Sequence, residues 1–121
     1  MEFVTLAAIF GFLAVALGAF GAHALRDKLS AANTLGVYEK GVAYQMYHAL
    51  ALFGTGILLH VGATHSNLVP IAGWLFAAGI VLFSGSLYLL SLSGKRALGA
   101  ITPLGGLCFL AGWVLILFAV V

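Results

Sequence analysis

The chain has 121 residues, 64% of them hydrophobic and only 7% charged, with a mean hydropathy of +1.19. That composition excludes an ordinary water-soluble domain. The net charge of +2 comes with only five Lys and Arg, divided between two polar stretches, so no basic face exists for a nucleic-acid partner. A bilayer crossing takes about 20 apolar residues, and the chain is therefore expected to be a single membrane domain with about four crossings.

The first apolar run covers residues 3–25. Its "AHA" at residues 22–24 imitates a signal-peptide cleavage site, but Glu2 and the absence of Lys or Arg before the run argue for a retained span. Ala7, Gly11, Ala14, Gly18 and Gly21 recur at steps of four and three and form one helical stripe. Small residues let helices approach closely in lipid, where dispersion contacts carry much of the association.

The polar stretch "RDKLSAANTLGVYEKG" follows, with a helix start expected at Ser30 or Asn33. Leu35, Val37 and Tyr38 are expected to lie in the headgroup layer as a short interfacial segment before the second span. The second span covers residues 42–60 and contains "YQMYHALAL". Gly41, Tyr44, Gln45, His48, Leu52 and Thr55 fall within about 100° of one another at 3.6 residues per turn.

After the uncharged connection "VGATHSN" comes a third span at 68–92, on which Gly73, Ala77, Ser84, Tyr88 and Ser91 fall within about 60°. The connection "SLSGKRALG" leads to a fourth span at 97–121, with Pro103 at its start and Gly105 and Gly112 available for close packing. Cys108 is the lone cysteine and has no partner for an intrachain disulfide.

Arg26, Lys28 and Lys40 lie in the first connection and Lys95 and Arg96 in the third, whereas the second has none. The positive-inside rule then predicts that the first and third connections are cytoplasmic and both termini outside. At ~1.5 Å per residue, His23, Gln45, His48, Ser84, Tyr88 and Thr102 lie within ~5 to 17 Å of that charge level. Polar groups inside lipid need partners, so these six residues are expected to form a polar cluster in the cytoplasmic half of the bundle.

Two readings of the cluster follow. It is either a pocket that binds or passes a small solute, proton or lipid, or interhelical glue worth ~0.6 to 2 kcal/mol per bond. A haem held by His23 and His48 is a minor alternative. The sequence offers no metal-ligand cluster and no intramembrane Asp or Glu, so neither a metal, a cofactor nor catalytic residues are assigned.

Four blocks carry a resemblance: "LGAFGAHAL" at Leu17 to Leu25, "YQMYHALAL", "AGWLFAAGIVLFSGSLYLL" at Ala72 to Leu90, and "LGAITPLGGL" at Leu98 to Leu107. Together they resemble the signature blocks of the YgdD/YwdK family of small bacterial inner-membrane proteins. One departure is Ala24, where the family block often has Gly. The resemblance implies an all-α, four-span bundle in the bacterial inner membrane, in contact with the lipid bilayer, with no substrate or catalytic residue to carry over. Association with itself or with a larger membrane complex through its small-residue faces is the alternative partner reading.

Overall fold

The computed structural model describes all 121 residues and contains no strands. Four helical rods are long and apolar enough to cross a membrane: Glu2–Ala22, Leu35–His60, Leu68–Ser93 and Arg96–Val120. In chain order, α1 is Glu2–Ala22, α2 the six-residue Arg26–Ala31, and α3 Leu35–His60. The third rod joins α4 (Leu68–Gly79), a π-helical turn (Ile80–Ser84) and α5 (Gly85–Ser93), and α6 (Thr102–Val120) closes the chain. The all-α four-helix membrane fold expected from composition is the fold observed.

The ends of the helices follow from local chemistry. Asn33, at φ 58°, takes the left-handed conformation that Asn tolerates better than most residues and turns the chain from α2 into α3. The Ser66 hydroxyl accepts the backbone N–H of Leu68 at the start of α4. Gly94, at φ 73°, ends α5. A 3₁₀ turn (Arg96–Ala100) precedes α6, whose first turn holds Pro103, where its missing N–H leaves no ladder bond unmade. Regular α-helix in the fourth rod thus starts at Thr102, after the 3₁₀ turn that opens the rod. The second begins earlier than residue 42, because the Leu35–Tyr38 segment is the first turn of α3 rather than a separate surface helix.

Packing follows chain order: α1 lies along α3, α3 along the third rod, and the third rod along α6. The outer rods, α1 and α6, do not pack along each other. Their outward faces carry Phe12, Val15 and Phe20 on one side and Leu110, Leu117 and Phe118 on the other, all exposed. Exposed apolar surface of this kind is what a lipid-facing helix presents. The core is built from Phe3, Ala7, Leu52, Ala72, Phe76, Ile80 and Phe109.

Close approach governs the packing because apolar helices gain little from leaving lipid for one another. Ala7, Ala14 and Gly21 are buried on the α1 face toward α3. A Cβ on Gly21 would meet the Tyr38 ring, one on Gly18 would meet Val42, and one on Gly73 would meet the Phe3 ring. Across the other interface, a Cβ on Gly112 would meet the Phe76 ring, and one on Gly105 would strike the backbone of Phe83, inside the π turn. Gly11 differs, with nothing within 4 Å of the position a Cβ would take.

Backbone cannot step aside as a side chain can. Gly105→Ala should therefore destabilise the protein by ~1 to 3 kcal/mol, while Gly54→Ala, at a helical position with nothing within 4 Å, should be neutral or stabilising by up to ~1 kcal/mol. Reversible unfolding in detergent micelles measures both, and equal effects would contradict the close approach at Gly105.

Candidate functional site

Interhelical hydrogen bonds begin at the basic end of the bundle and run inward. The Thr34 hydroxyl, next to α3, donates to the Ser91 carbonyl of α5 at 2.8 Å. One turn on, the buried Tyr38 hydroxyl donates to the Leu17 carbonyl of α1. Ser84, fully buried at the end of the π turn, donates to the Gly41 carbonyl at 2.6 Å. In each case a polar side chain reaches the spare lone pair of a backbone carbonyl on a neighbouring rod.

Gln45 joins three rods. Its Nε2 donates to the Phe10 carbonyl of α1 at 2.8 Å, and its Oε1 accepts the Tyr88 hydroxyl at 2.6 Å. The amide can point only this way, because the reverse would set Oε1 against another acceptor, the Phe10 carbonyl. Proton counting also orders the pair between the third rod and α6. The Ser86 hydroxyl has one proton, which lies on the Phe83 carbonyl at 2.9 Å. Thr102 is then the donor in its 2.5 Å contact with Ser86.

His48 stands apart from these bonds. Trp113 Nε1 is a donor only, so at 3.1 Å it requires an unprotonated His48 Nε2. The proton therefore sits on Nδ1, which donates to the Tyr44 carbonyl at 2.9 Å. The neutral ring stacks on Phe109 with centroids 3.5 Å apart and planes 8° apart. Both ring nitrogens are occupied, and a metal or haem iron would have to displace Trp113 or the Tyr44 carbonyl.

The six residues expected to cluster are thus separated into distinct bonds. Gln45 and Tyr88 bond directly, Ser84 bonds one turn away to Gly41, and Thr102 meets Ser86 on the α6 side. His48 faces Trp113 instead of Gln45, while His23 is exposed just past the end of α1 and makes no side-chain hydrogen bond with the others. No buried side-chain nitrogen or oxygen lacks a hydrogen-bond partner. Cys108 is free and half-buried, and no group of three or more His, Cys, Asp and Glu could hold a metal ion.

A recess does occur beside His48. Both α3 and α6 flank the third rod and meet through the side-chain contacts of His48 with Phe109 and Trp113, and a groove of about 570 Å³ opens beside those contacts. Its walls include Tyr44, His48, Gly106, Leu110 and Trp113, with Phe83 among the lining residues. Tyr44 stacks on Phe83, with ring centroids 4.7 Å apart. Half of Trp113 is exposed along the opening.

Sequence reasoning missed three features of this region. Trp113 and Phe109 were unmarked apolar residues in the fourth span, and only the contact with His48 gives them a role. The π turn has no signature that periodicity reveals, since an extra residue in one turn leaves the hydropathy unchanged. Tyr38 was expected in the headgroup layer but is 1% exposed, because Gly21 leaves room for its ring against α1. The Gly21 stripe was the available signal.

The family model described as "Protein of unknown function (DUF423)" matches residues 17–106, which include every residue of the interhelical bonds described above except Phe10 and the His48 partner Trp113. Curated relatives extend the match over nearly the whole chain. The UPF0382 membrane protein YwdK of Bacillus subtilis is 51% identical over 119 residues, covering 98% of this chain and 95% of that one. The chain belongs to this family. A UPF0382 membrane protein of Staphylococcus saprophyticus is 49% identical over 114 residues, covering 94% and 92%, and one of Staphylococcus aureus is 48% identical over 117, covering 97% and 93%. No solved structure matches. The resemblance carried by the four sequence blocks is confirmed, and a multi-pass bacterial membrane protein fits both the relatives and the four spans.

Two tests address the bonds directly. A double-mutant cycle of Gln45→Leu and Tyr88→Phe should give a coupling energy of ~0.6 to 2 kcal/mol in micelle unfolding, and additive effects would mean that the bond contributes nothing. Nitrogen-15 NMR of His48 in bilayers should report the Nδ1–H tautomer, with the Nε2 resonance shifting in Trp113→Phe. An Nε2–H tautomer in the wild type would contradict the Trp113 contact.

Proposed function

We propose that this member of the DUF423 family is a non-enzymatic protein of the bacterial inner membrane that binds the hydrocarbon part of a bilayer-resident molecule in the groove beside His48. The observation that carries the reading is the groove itself. It is walled largely by aromatic rings and has almost no polar atoms in reach beyond the edges of Tyr44 and His48. Ligand sites are concave and mostly apolar with few polar groups, and a side-opening one in a membrane draws its ligand from the lipid phase.

The polar residues Gln45, Ser84, Ser86, Tyr88 and Thr102 then serve as interhelical glue, and their hydrogen bonds give each a partner within the protein. A solute or proton path through this layer would have to break those bonds. The proposed orientation places the first and third connections in the cytoplasm and both termini outside, supported by all five Lys and Arg lying at one end of the bundle.

Gly106 offers a means of closing the groove. The nearest atom to a Cβ there is Phe83 Cδ2 at 4.0 Å, so a Cβ fits at this lining position, and Gly106→Leu is the variant chosen to fill the recess. A diazirine-bearing fatty acyl probe should label Leu110 or Trp113 in wild-type protein in bilayers, with at least a fivefold loss in Gly106→Leu. Equal labelling of both proteins would contradict the proposal. A C-terminal reporter active only outside the cytoplasm should be active, and cytoplasmic activity would reverse the orientation.

A further inference from the structure

Resting on that reading, we infer that the occupant of the groove is an anionic phospholipid from the leaflet on the basic side, with its headgroup at Lys40 and Asn33 and one acyl chain beside His48. Val37, Lys40, Tyr44 and His48 recur on α3 at steps of three, four and four, and so lie on one face. The third rod runs antiparallel against this face: Lys40 shares a cleft with Leu87, Tyr44 stacks on Phe83, and His48 approaches Phe76 with ring centroids 5.8 Å apart.

Two recesses therefore follow one another along the same face. The outer one, of about 640 Å³, is lined by Asn33, Gly36, Val37, Lys40 and Leu87. The inner one is the groove, whose outermost wall on α3 is Tyr44, one turn below Lys40. Chemistry changes between them from an ammonium and an amide to aromatic rings. A phospholipid changes in the same order and over the same path.

Length selects the chain. The groove runs along α6 from Pro103 to Trp113, or ~15 Å at 1.5 Å per residue, which is half of the ~30 Å hydrocarbon core. It therefore extends from the headgroup boundary to about the midplane, the reach of one leaflet. Charge selects the headgroup. The residues one turn to either side of Lys40 on its face are Gly36, Val37, Ala43 and Tyr44, none acidic, while Glu39 is its direct neighbour and points elsewhere on the helix. Lys95 and Arg96 add positive charge at the same end. Juxtamembrane Lys and Arg favour anionic over zwitterionic lipid surfaces.

The test uses photoactivatable phosphatidylglycerol and phosphatidylcholine with identical acyl chains, each at trace level in mixed-lipid nanodiscs holding the full-length protein, with labelled residues located by mass spectrometry. Phosphatidylglycerol should label Leu110 or Trp113 about fivefold more than phosphatidylcholine. The preference should fall to near unity in Lys40→Gln, an exposed site, and should weaken in Asn33→Gly, which retains the left-handed backbone while removing the amide. Equal labelling by the two lipids, abolished for both by Gly106→Leu, would overturn the headgroup inference and leave the groove reading standing. Absence of labelling by either lipid would overturn both. A preference undiminished in Lys40→Gln would overturn the assignment of the headgroup to Lys40.

Discussion

Water is absent from the hydrocarbon core, so every polar group placed there must be satisfied by the protein. The bundle meets this constraint chiefly with bonds from side chains to backbone. Thr34, Tyr38, Gln45 and Ser84 each donate to a carbonyl on another rod. A carbonyl in a helical ladder still has a free lone pair, but a short side chain can reach it only when two helices lie close together. Glycine permits that distance at Gly21 and Gly41, where a Cβ would meet the rings of Tyr38 and Tyr88. Small residues and polar residues are two halves of one arrangement, and such bonds fix the axial register of neighbouring rods more tightly than apolar contacts alone.

Much of this was legible from sequence. Composition and four apolar runs determine the number of spans, and the shared face of Gly41, Gln45, Ser84 and Tyr88 places spans two and three together. What could not be read was the subdivision of the polar layer. Periodicity gives the direction in which a residue points, but the third rod faces both α3 and α6, and sequence does not say that Ser84 turns toward Gly41 while Ser86 turns toward Thr102. His23 was grouped by depth alone, and the chain leaves the helix at its position, which puts it outside the interface. Trp113 was illegible for a different reason: an indole in an apolar run has no mark of its own until its N–H finds an acceptor.

The same constraint separates structure from candidate function. Groups that bond to one another are unavailable to a ligand, and Gln45, Ser84, Ser86, Tyr88 and Thr102 belong to that set. The π turn meets α6 at Gly105, and the adjoining Gly106 leaves a gap beside Phe83. Beside the His48 contacts that join α3 to α6, this leaves a recess. His48 is the point of contact between the two regions, with its polar edge satisfied by Trp113 and its flat face against Phe109. A histidine here is best understood as an acceptor that orients an indole at the lipid boundary.

The central claim is that the polar layer is closed on itself while the groove is open to lipid. Solid-state NMR in bilayers, with magnetisation transferred separately from water and from lipid acyl protons, measures that division residue by residue. The account predicts acyl transfer to Tyr44, Leu110 and Trp113, and no water transfer to Gln45 or Tyr88. Rapid water transfer to Gln45 and Tyr88, with no acyl contact at Trp113, would contradict it.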